Sequence, residues 1–172
     1  MRKVTYFMAV FVITISLVSC QKQVTLQQYF VEKSNQPDFT TMNFNPNDYL
    51  KGLAFDDEKS KALKTIKSVN VLSFKKQDEV QFQKETEQIK EILSNEKYQE
   101  LLKLNDKGSQ TVVTYLGDDS NINEVILYSK GSSQQYLVRV LTDGLTVTQL
   151  GELVGSFSSL LPMVENIGLF QD

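Results

Sequence analysis

Apolar residues recur at helical spacing in five stretches of the chain. The inward positions of these stretches are Leu26, Tyr29, Phe30 and Lys33; Ala62, Leu63 and Ile66; Phe82, Ile89, Ile92 and Leu93; Tyr98, Leu101 and Leu102; and Val147, Leu150, Val154 and Phe157. Asn35-Gln36-Pro37 ends the first helix, and Asp78 to Leu93 is the longest. The fourth ends at Asn105-Asp106-Lys107-Gly108, and Thr146 and Gln149 have the spacing of a capping box before the fifth.

Alternation with a period of two predicts strands elsewhere. Val69 to Phe74 alternates in this way, and three further strands are predicted from Thr111 to Leu116, from Asn123 to Ser129 and from Gln135 to Thr142, where Asp143-Gly144 breaks the last one. We therefore expect an α+β fold in a single domain over residues 26–172. Its mostly antiparallel sheet would include a C-terminal three-strand meander, with helices packed on one face.

The N-terminus has the organisation of a secretion signal. Arg2 and Lys3 are followed by an uncharged, mostly apolar run from Val4 to Val18, shorter than the roughly 20 residues of a transmembrane helix. The run ends in Leu17-Val18-Ser19-Cys20, which resembles the bacterial lipobox, in which the cysteine receives lipid. The pattern predicts a lipoprotein signal peptide over 1–19 and a lipidated Cys20 with a short tether over 20–25. The alternative is an uncleaved anchor in which Cys20 is incidental.

Lipid on Cys20 would hold the protein on a membrane without spanning it, because two or three acyl chains give stable anchoring. The tether from Gln21 to Thr25 reaches about 17 Å when extended. Gln21, rather than Asp, directly after the cysteine is compatible with transfer to the outer membrane, and we expect the domain to face the periplasm. Membrane lipid, through the acyl anchor, is thus the first expected partner.

Composition excludes several kinds of chemistry. The chain has no His, and its one Cys is Cys20, so internal disulfides, thiolate zinc sites and a cysteine nucleophile within the domain are excluded. Arg2 and Lys3 belong to the 18 basic residues, so the mature chain keeps 16 against 21 acidic ones, a net charge of about −5. Nucleic acid is not an expected partner, because its binding needs clustered positive charge.

Motifs that suggest catalysis or metal binding have simpler interpretations. Ser73-Phe74-Lys75-Lys76 has the S-x-x-K spacing of serine acyl-enzymes, but on a strand Ser73 and Lys76 point to opposite faces. Asp56-Asp57-Glu58 suits a helix N-terminus, and Gly117-Asp118-Asp119-Ser120-Asn121 suits a turn better than a calcium loop. We predict no catalytic residues, no metal site and no cofactor.

Arg139 is unusual because it interrupts an apolar strand, on the face of Leu137 and Leu141. One interpretation is an arginine facing solvent on an open side of the sheet. The other is a partner-facing residue on a sheet face that another protein covers.

Six segments together resemble the family catalogued as domain of unknown function 4252, found in envelope lipoproteins of some Gram-negative bacteria. They are Leu26-Gln27-Gln28-Tyr29-Phe30, Val71-Leu72-Ser73-Phe74-Lys75-Lys76, Lys97-Tyr98-Gln99-Glu100-Leu101-Leu102, Tyr115-Leu116-Gly117-Asp118, Asn123-Glu124-Val125-Ile126 and Val138-Arg139-Val140-Leu141. The resemblance extends from about Leu26 to Val154. It implies an exported, lipid-anchored domain and supplies no catalytic or ligand-binding residues.

The sequence therefore favours a non-enzymatic interaction module that contacts another envelope protein. One alternative is a glycan or peptidoglycan hydrolase that uses carboxylates, and another is a carrier of a small apolar ligand. Clustered carboxylates in a deep pocket would favour the hydrolase, and an enclosed apolar cavity would favour the carrier.

Overall fold

The computed structural model describes residues 24–46, 57–94, 97–106 and 108–154. Their helices and strands, in chain order, are α1 (Leu26–Lys33), β1 (Phe39–Phe44), α2 (Asp57–Lys64), β2 (Ile66–Lys75), α3 (Glu79–Leu93), β3 (Gln99–Asp106), β4 (Ser109–Asp118), β5 (Asn121–Lys130), β6 (Gln134–Leu145) and α4 (147–154).

The six strands form one antiparallel sheet in the order β1-β2-β6-β5-β4-β3, so the chain has an α+β fold that is mostly sheet. The four strands from β3 to β6 are neighbours in chain order. Three strands were predicted in this region, and the fourth is β3. The edges of the sheet are β1 and β3.

The prediction of a helix around Tyr98, Leu101 and Leu102 is wrong, because Leu101 and Leu102 lie in β3. β3 pairs with β4, and the register shifts between Glu100 and Leu102. At this irregularity the consecutive residues Leu101 and Leu102 are both half-buried. Together with Tyr98 they have a spacing that also fits one face of a helix. Pairing with β4, a contact that local sequence spacing does not contain, therefore decides the structure of this segment.

The predicted end of the last strand at Asp143-Gly144 is also wrong. β6 continues to Leu145, which lies opposite Ile122 of β5. Gly144 has a φ of 77°, which a glycine adopts without strain, and the Asp143 N–H donates to the Thr65 carbonyl at 2.8 Å. The strand therefore passes through the glycine.

Buried apolar residues lie on both faces of the sheet. One cluster contains Leu72, Phe74, Ile126, Tyr128 and Leu137 together with residues of α1 and α3, and we call this side the α1/α3 face. The other contains Val69, Val71, Val113, Tyr115 and Val125 together with residues of α2 and α4, and this side is the α2/α4 face. The two sets alternate along each strand, as side chains on opposite faces must. Helices contribute to both clusters, so the expectation of helices on one face is wrong.

The starts of α1, α3 and α4 are capped by side chains. Thr25 and Gln28 form a capping box at α1, and the Asp78 carboxylate accepts from the Gln81 N–H at 2.8 Å at the start of α3. The predicted capping box of Thr146 and Gln149 is confirmed at α4 by hydrogen bonds of 3.0 and 3.2 Å. Phe157, predicted to be buried by this helix, lies outside the described residues.

Candidate functional site

The predicted lipidation motif lies outside the described residues. Leu17, Val18, Ser19 and Cys20 precede Val24, where the description begins. Lipid on Cys20 therefore stays a prediction. The first described helix, α1, begins two residues after Val24 and is capped by Thr25.

Arg139 forms an ion pair with Glu124 on the α1/α3 face. The β5–β6 register places Ile126 opposite Arg139 and Leu141 opposite Glu124, so the two charged side chains are diagonal neighbours. Arg139 Nε lies 3.0 Å from Glu124 Oε1, and its second guanidinium nitrogen, Nη2, lies 3.1 Å from Glu124 Oε2. This geometry is bidentate.

Two further residues complete what we call the Arg139 cluster: Arg139, Glu124, Gln27 and Tyr98. The third guanidinium nitrogen, Nη1, donates to the Gln27 amide oxygen on α1, and the Tyr98 hydroxyl lies 3.4 Å from Glu124 Oε1. Burial, with a smaller effect of the Glu124 charge, raises the pKa of Tyr98 to about 12. The cluster therefore joins α1 to the middle of the sheet.

The Arg139 side chain is 14% exposed and that of Glu124 is 10% exposed. One interpretation of the sequence expected Arg139 to face open solvent, and this interpretation is wrong because most of the side chain is buried. Its predicted contact with a partner stays a prediction, and such a partner would meet a guanidinium that already has three acceptor atoms within the chain.

A second polar group, which we call the Glu85 cluster, consists of Glu85, Lys33 and Tyr29 between α1 and α3. Lys33 Nζ lies 2.8 Å from Glu85 Oε1, and the Tyr29 hydroxyl donates to Glu85 Oε2 at 2.8 Å. The three residues are 3%, 6% and 0% exposed, so the ion pair is fully buried. Burial, and then the negative charge of Glu85, raises the pKa of Tyr29 strongly, because phenolate would be unsolvated there.

Gln135 of β6 connects the sheet to α3 beside the Glu85 cluster. Its Nε2 donates to the Phe82 carbonyl at 3.0 Å and to Thr86 Oγ1 at 2.8 Å, while its Oε1 accepts from the Tyr128 hydroxyl at 2.8 Å. Burial raises the pKa of Tyr128 to about 12. Both N–H groups and the oxygen of this amide are therefore hydrogen-bonded, and Gln135 acts as a structural link.

Both buried carboxylates of these clusters have close polar neighbours. Glu85 and Glu124 each have a cation within 3.0 Å and a tyrosine hydroxyl within 3.4 Å. A cavity lined by Tyr29, Glu85 and Gln135, among others, has a volume of about 10 Å³. That is about the space of one water molecule.

The structure separates the residues of the S-x-x-K motif. Ser73 lies in β2, in line with Val69 and Val71, and so belongs to the α2/α4 face. Lys76 follows the strand, pairs with Glu79 and lies 5.8 Å from the ring centroid of Phe82, on the α1/α3 side.

The acidic motifs are found at a helix start and in a turn. Asp57 is the first residue of α2. Asp118 and Asp119 lie in the β4–β5 hairpin, where Asp119 accepts from the Tyr115 hydroxyl at 2.8 Å. Among the residues that the structure describes, no group of three or more acidic, histidine or cysteine side chains is arranged to hold a metal ion.

The sequence alone did not reveal that Glu85, Glu124 and Gln135 are interior polar residues. The sequence does indicate that each position is buried, because the neighbouring residues at helical or strand spacing are buried. Glu85 follows Phe82 by three positions and precedes Ile89 by four. Periodicity therefore marks the buried position, although it does not identify the partner.

No described helix has the length and apolar character needed to cross a membrane. A family model described as "Domain of unknown function (DUF4252)" matches residues 29–153. No curated protein and no solved structure matches the chain.

Proposed function

The chain belongs to the DUF4252 family of domains of unknown function, and from this premise we propose that it is a lipoprotein anchored through Cys20 that acts as a non-enzymatic interaction module in the bacterial cell envelope. The proposed location is the outer membrane, with the domain facing the periplasm.

The observation that carries the anchor is the order of features before Cys20. Arg2 and Lys3, an uncharged apolar run and a small residue at Ser19 precede the only cysteine of the chain. A peptidase that cuts before a lipidated cysteine requires this order. Buried methylenes contribute about 0.8 kcal/mol each, so two or three acyl chains anchor the protein stably.

The start of α1 supports a short tether. Thr25 caps the helix, Leu26 is 2% exposed and Gln27 contacts Arg139, so the chain is held by the fold within a few residues of Cys20. An extended tether of about 17 Å keeps such a domain close to its membrane.

Labelled palmitate supplied to the producing bacterium tests the anchor. We expect label on the wild-type chain and none on Cys20→Ala. Ser19→Ala is the matched control, since it keeps a small residue before the cysteine and should still be labelled. Incorporation of label into Cys20→Ala would overturn the proposal.

The state of the polar interior supports a binding role over catalysis. The carboxylates of Glu85 and Glu124 are neutralised by Lys33 and Arg139, and the cavity beside Glu85 has the volume of one water. These groups hold α1 on the sheet. The proposed contact of Arg139 with a partner would use the exposed remainder of this side chain.

Photo-cross-linking in the intact envelope tests the module. A photoreactive residue at Val31, Val80 or Leu104, which are 56%, 76% and 51% exposed, samples three different elements without disturbing the core. We expect at least one of these sites to capture an envelope protein. Failure at all three, together with glycan turnover by the purified chain, would favour the hydrolase, while a co-purifying apolar ligand would favour the carrier.

A further inference from the structure

The start of α1 fixes the point at which the tether enters the described fold. Val24 packs against the buried cluster of the α1/α3 face, Thr25 caps the helix, and Gln27 accepts a hydrogen bond from β6. Only residues 21–23 lie between this entry point and Cys20. Four residue steps of about 3.4 Å give the free part of the tether a maximum reach of about 14 Å.

α1 and α3 run antiparallel, so the entry point lies near the end of α3. Tyr98, which follows α3, belongs to the Arg139 cluster together with Gln27 in the first turn of α1. Asp38, which follows α1, accepts a hydrogen bond from the Gln81 amide near the start of α3 at 3.4 Å. The Glu85 cluster lies between these two contacts.

The start of α3 lies beyond the reach of the tether. α3 has 15 residues, and at about 1.5 Å per residue it is about 22 Å long. The β5–β6 hairpin lies at the same end, because Lys130 Nζ is 5.7 Å from the ring centroid of Phe82 in the first turn of α3. Both features are therefore further from the entry point than the roughly 14 Å that the tether can span.

The sheet separates the entry point from α2 and α4. Val24 packs on the cluster of the α1/α3 face, whereas residues of α2 and α4 belong to the cluster on the opposite face. Packed layers lie about 10 Å apart, so helices on opposite faces of one sheet are about 20 Å apart. This distance also exceeds the reach of the tether.

A tethered domain can touch its bilayer only with surface that lies within reach of the entry point. From this limit, and on the premise that Cys20 carries the proposed lipid, we propose that the domain meets its own membrane with the surface around the start of α1 and the end of α3. We call this the membrane-side surface, and Gln28, Ser94 and Lys97 are exposed on it. The start of α3, the β5–β6 hairpin and the α2/α4 face then point away from the bilayer, towards the proposed protein partner.

The membrane-side surface is polar. Besides Gln28, Ser94 and Lys97, the nearby exposed residues Glu91 and Glu100 are acidic. Such a surface contacts lipid headgroups and does not insert into hydrocarbon, which requires apolar side chains. The lipid on Cys20 therefore supplies the affinity for the membrane, and the fold determines which side of the domain lies nearest to it.

Fluorescence quenching on lipidated full-length protein tests this orientation. The protein is placed in vesicles of phosphatidylethanolamine and phosphatidylglycerol that contain a headgroup-labelled quencher lipid. A thiol-reactive dye is attached to Ser94→Cys on the membrane-side surface, to Ser132→Cys in the β5–β6 hairpin or to Thr148→Cys on α4, all exposed positions. The lipidated sulfur of Cys20 does not react with the dye. We expect most of the fluorescence to be lost at Ser94 and little to be lost at the other two sites.

Two controls separate the possible outcomes. A water-soluble quencher should act on all three dyes, and Lys97→Cys is a second near site whose quenching should match that of Ser94→Cys. Vesicle-bound protein with equal quenching at all sites, or with stronger quenching at Ser132 or Thr148, would overturn the orientation and leave the anchor intact. A wild-type chain that lacks lipid and stays in the aqueous fraction would refute the anchor, and the orientation with it.

Discussion

Replacing Lys33 with methionine would remove the cation beside Glu85 while keeping a long side chain in the same space. The Lys33–Glu85 ion pair is 2.8 Å long, and its side chains are 7% and 4% exposed. In the variant, Glu85 keeps the hydrogen bond from Tyr29 but has lost its counter-charge. An unpaired buried carboxylate is far less stable than a paired one.

The size of the effect follows from this burial. Removing one partner of a buried ion pair costs about 3–5 kcal/mol, a large part of a domain's usual stability of about 5–15 kcal/mol. At about 2–4 °C per kcal/mol for a chain of this size, the melting temperature should fall by roughly 6–20 °C.

Urea unfolding of the purified full chain, followed by circular dichroism, measures this loss. Lys67→Met is the matched control, since Lys67 pairs with Asp143 at 3.2 Å with side chains 59% and 76% exposed. An exposed pair is worth about 0–1 kcal/mol, so this variant should lose little.

Adding Glu85→Gln to Lys33→Met should restore most of the stability, because glutamine removes the charge and still accepts from the Tyr29 hydroxyl. Equal losses for Lys33→Met and Lys67→Met would refute the reasoning, since the depth of the pair would then not matter.

Three further expectations concern single positions. Gly151 lies in α4 with open space around its Cα, so Gly151→Ala should raise the unfolding free energy by about 0.5–1 kcal/mol. Gly117→Ala should lower the unfolding free energy, because Gly117 has a φ of 127° and the new methyl would collide with backbone across the turn. Urea unfolding of both variants checks the two signs. The Thr114 hydroxyl is buried without a hydrogen-bond partner, so Thr114→Val should stabilise by about 1 kcal/mol in the same assay, and a loss would contradict this. Burial raises the pKa values of Tyr98 and Tyr128 to about 12, above the ordinary value of 10.0. The stability that their protonated forms contribute is therefore complete below pH 10 and is lost between about pH 10 and 12. Phenolate absorbance that rises together with unfolding would show this, and titration near pH 10 in the folded state would contradict it.

Periodicity predicted most of the helices and strands because a half-buried element repeats its apolar residues. It failed at β3, where an irregular register gives adjacent leucines the spacing of a helix, and at Gly144, where a residue that usually breaks strands adopts a positive φ within one. In both places the pairing partner decides the outcome.

The polar interior could be predicted only in part. Lys33 was placed on the buried face of its helix from spacing alone, and it is indeed 6% exposed. Its partner Glu85 is 52 positions away in sequence, and Glu124 reaches Arg139 only through the β5–β6 register. Tertiary packing sets such pairs, and local sequence does not contain that information.

Mass spectrometry of the mature N-terminus, on protein taken from its native membrane, tests the proposed anchor most directly. We expect the chain to begin at Cys20 and to carry a thioether-linked diacylglycerol and an acylated amine. A chain that keeps residues 1–19 and has a free thiol at Cys20 would contradict the account.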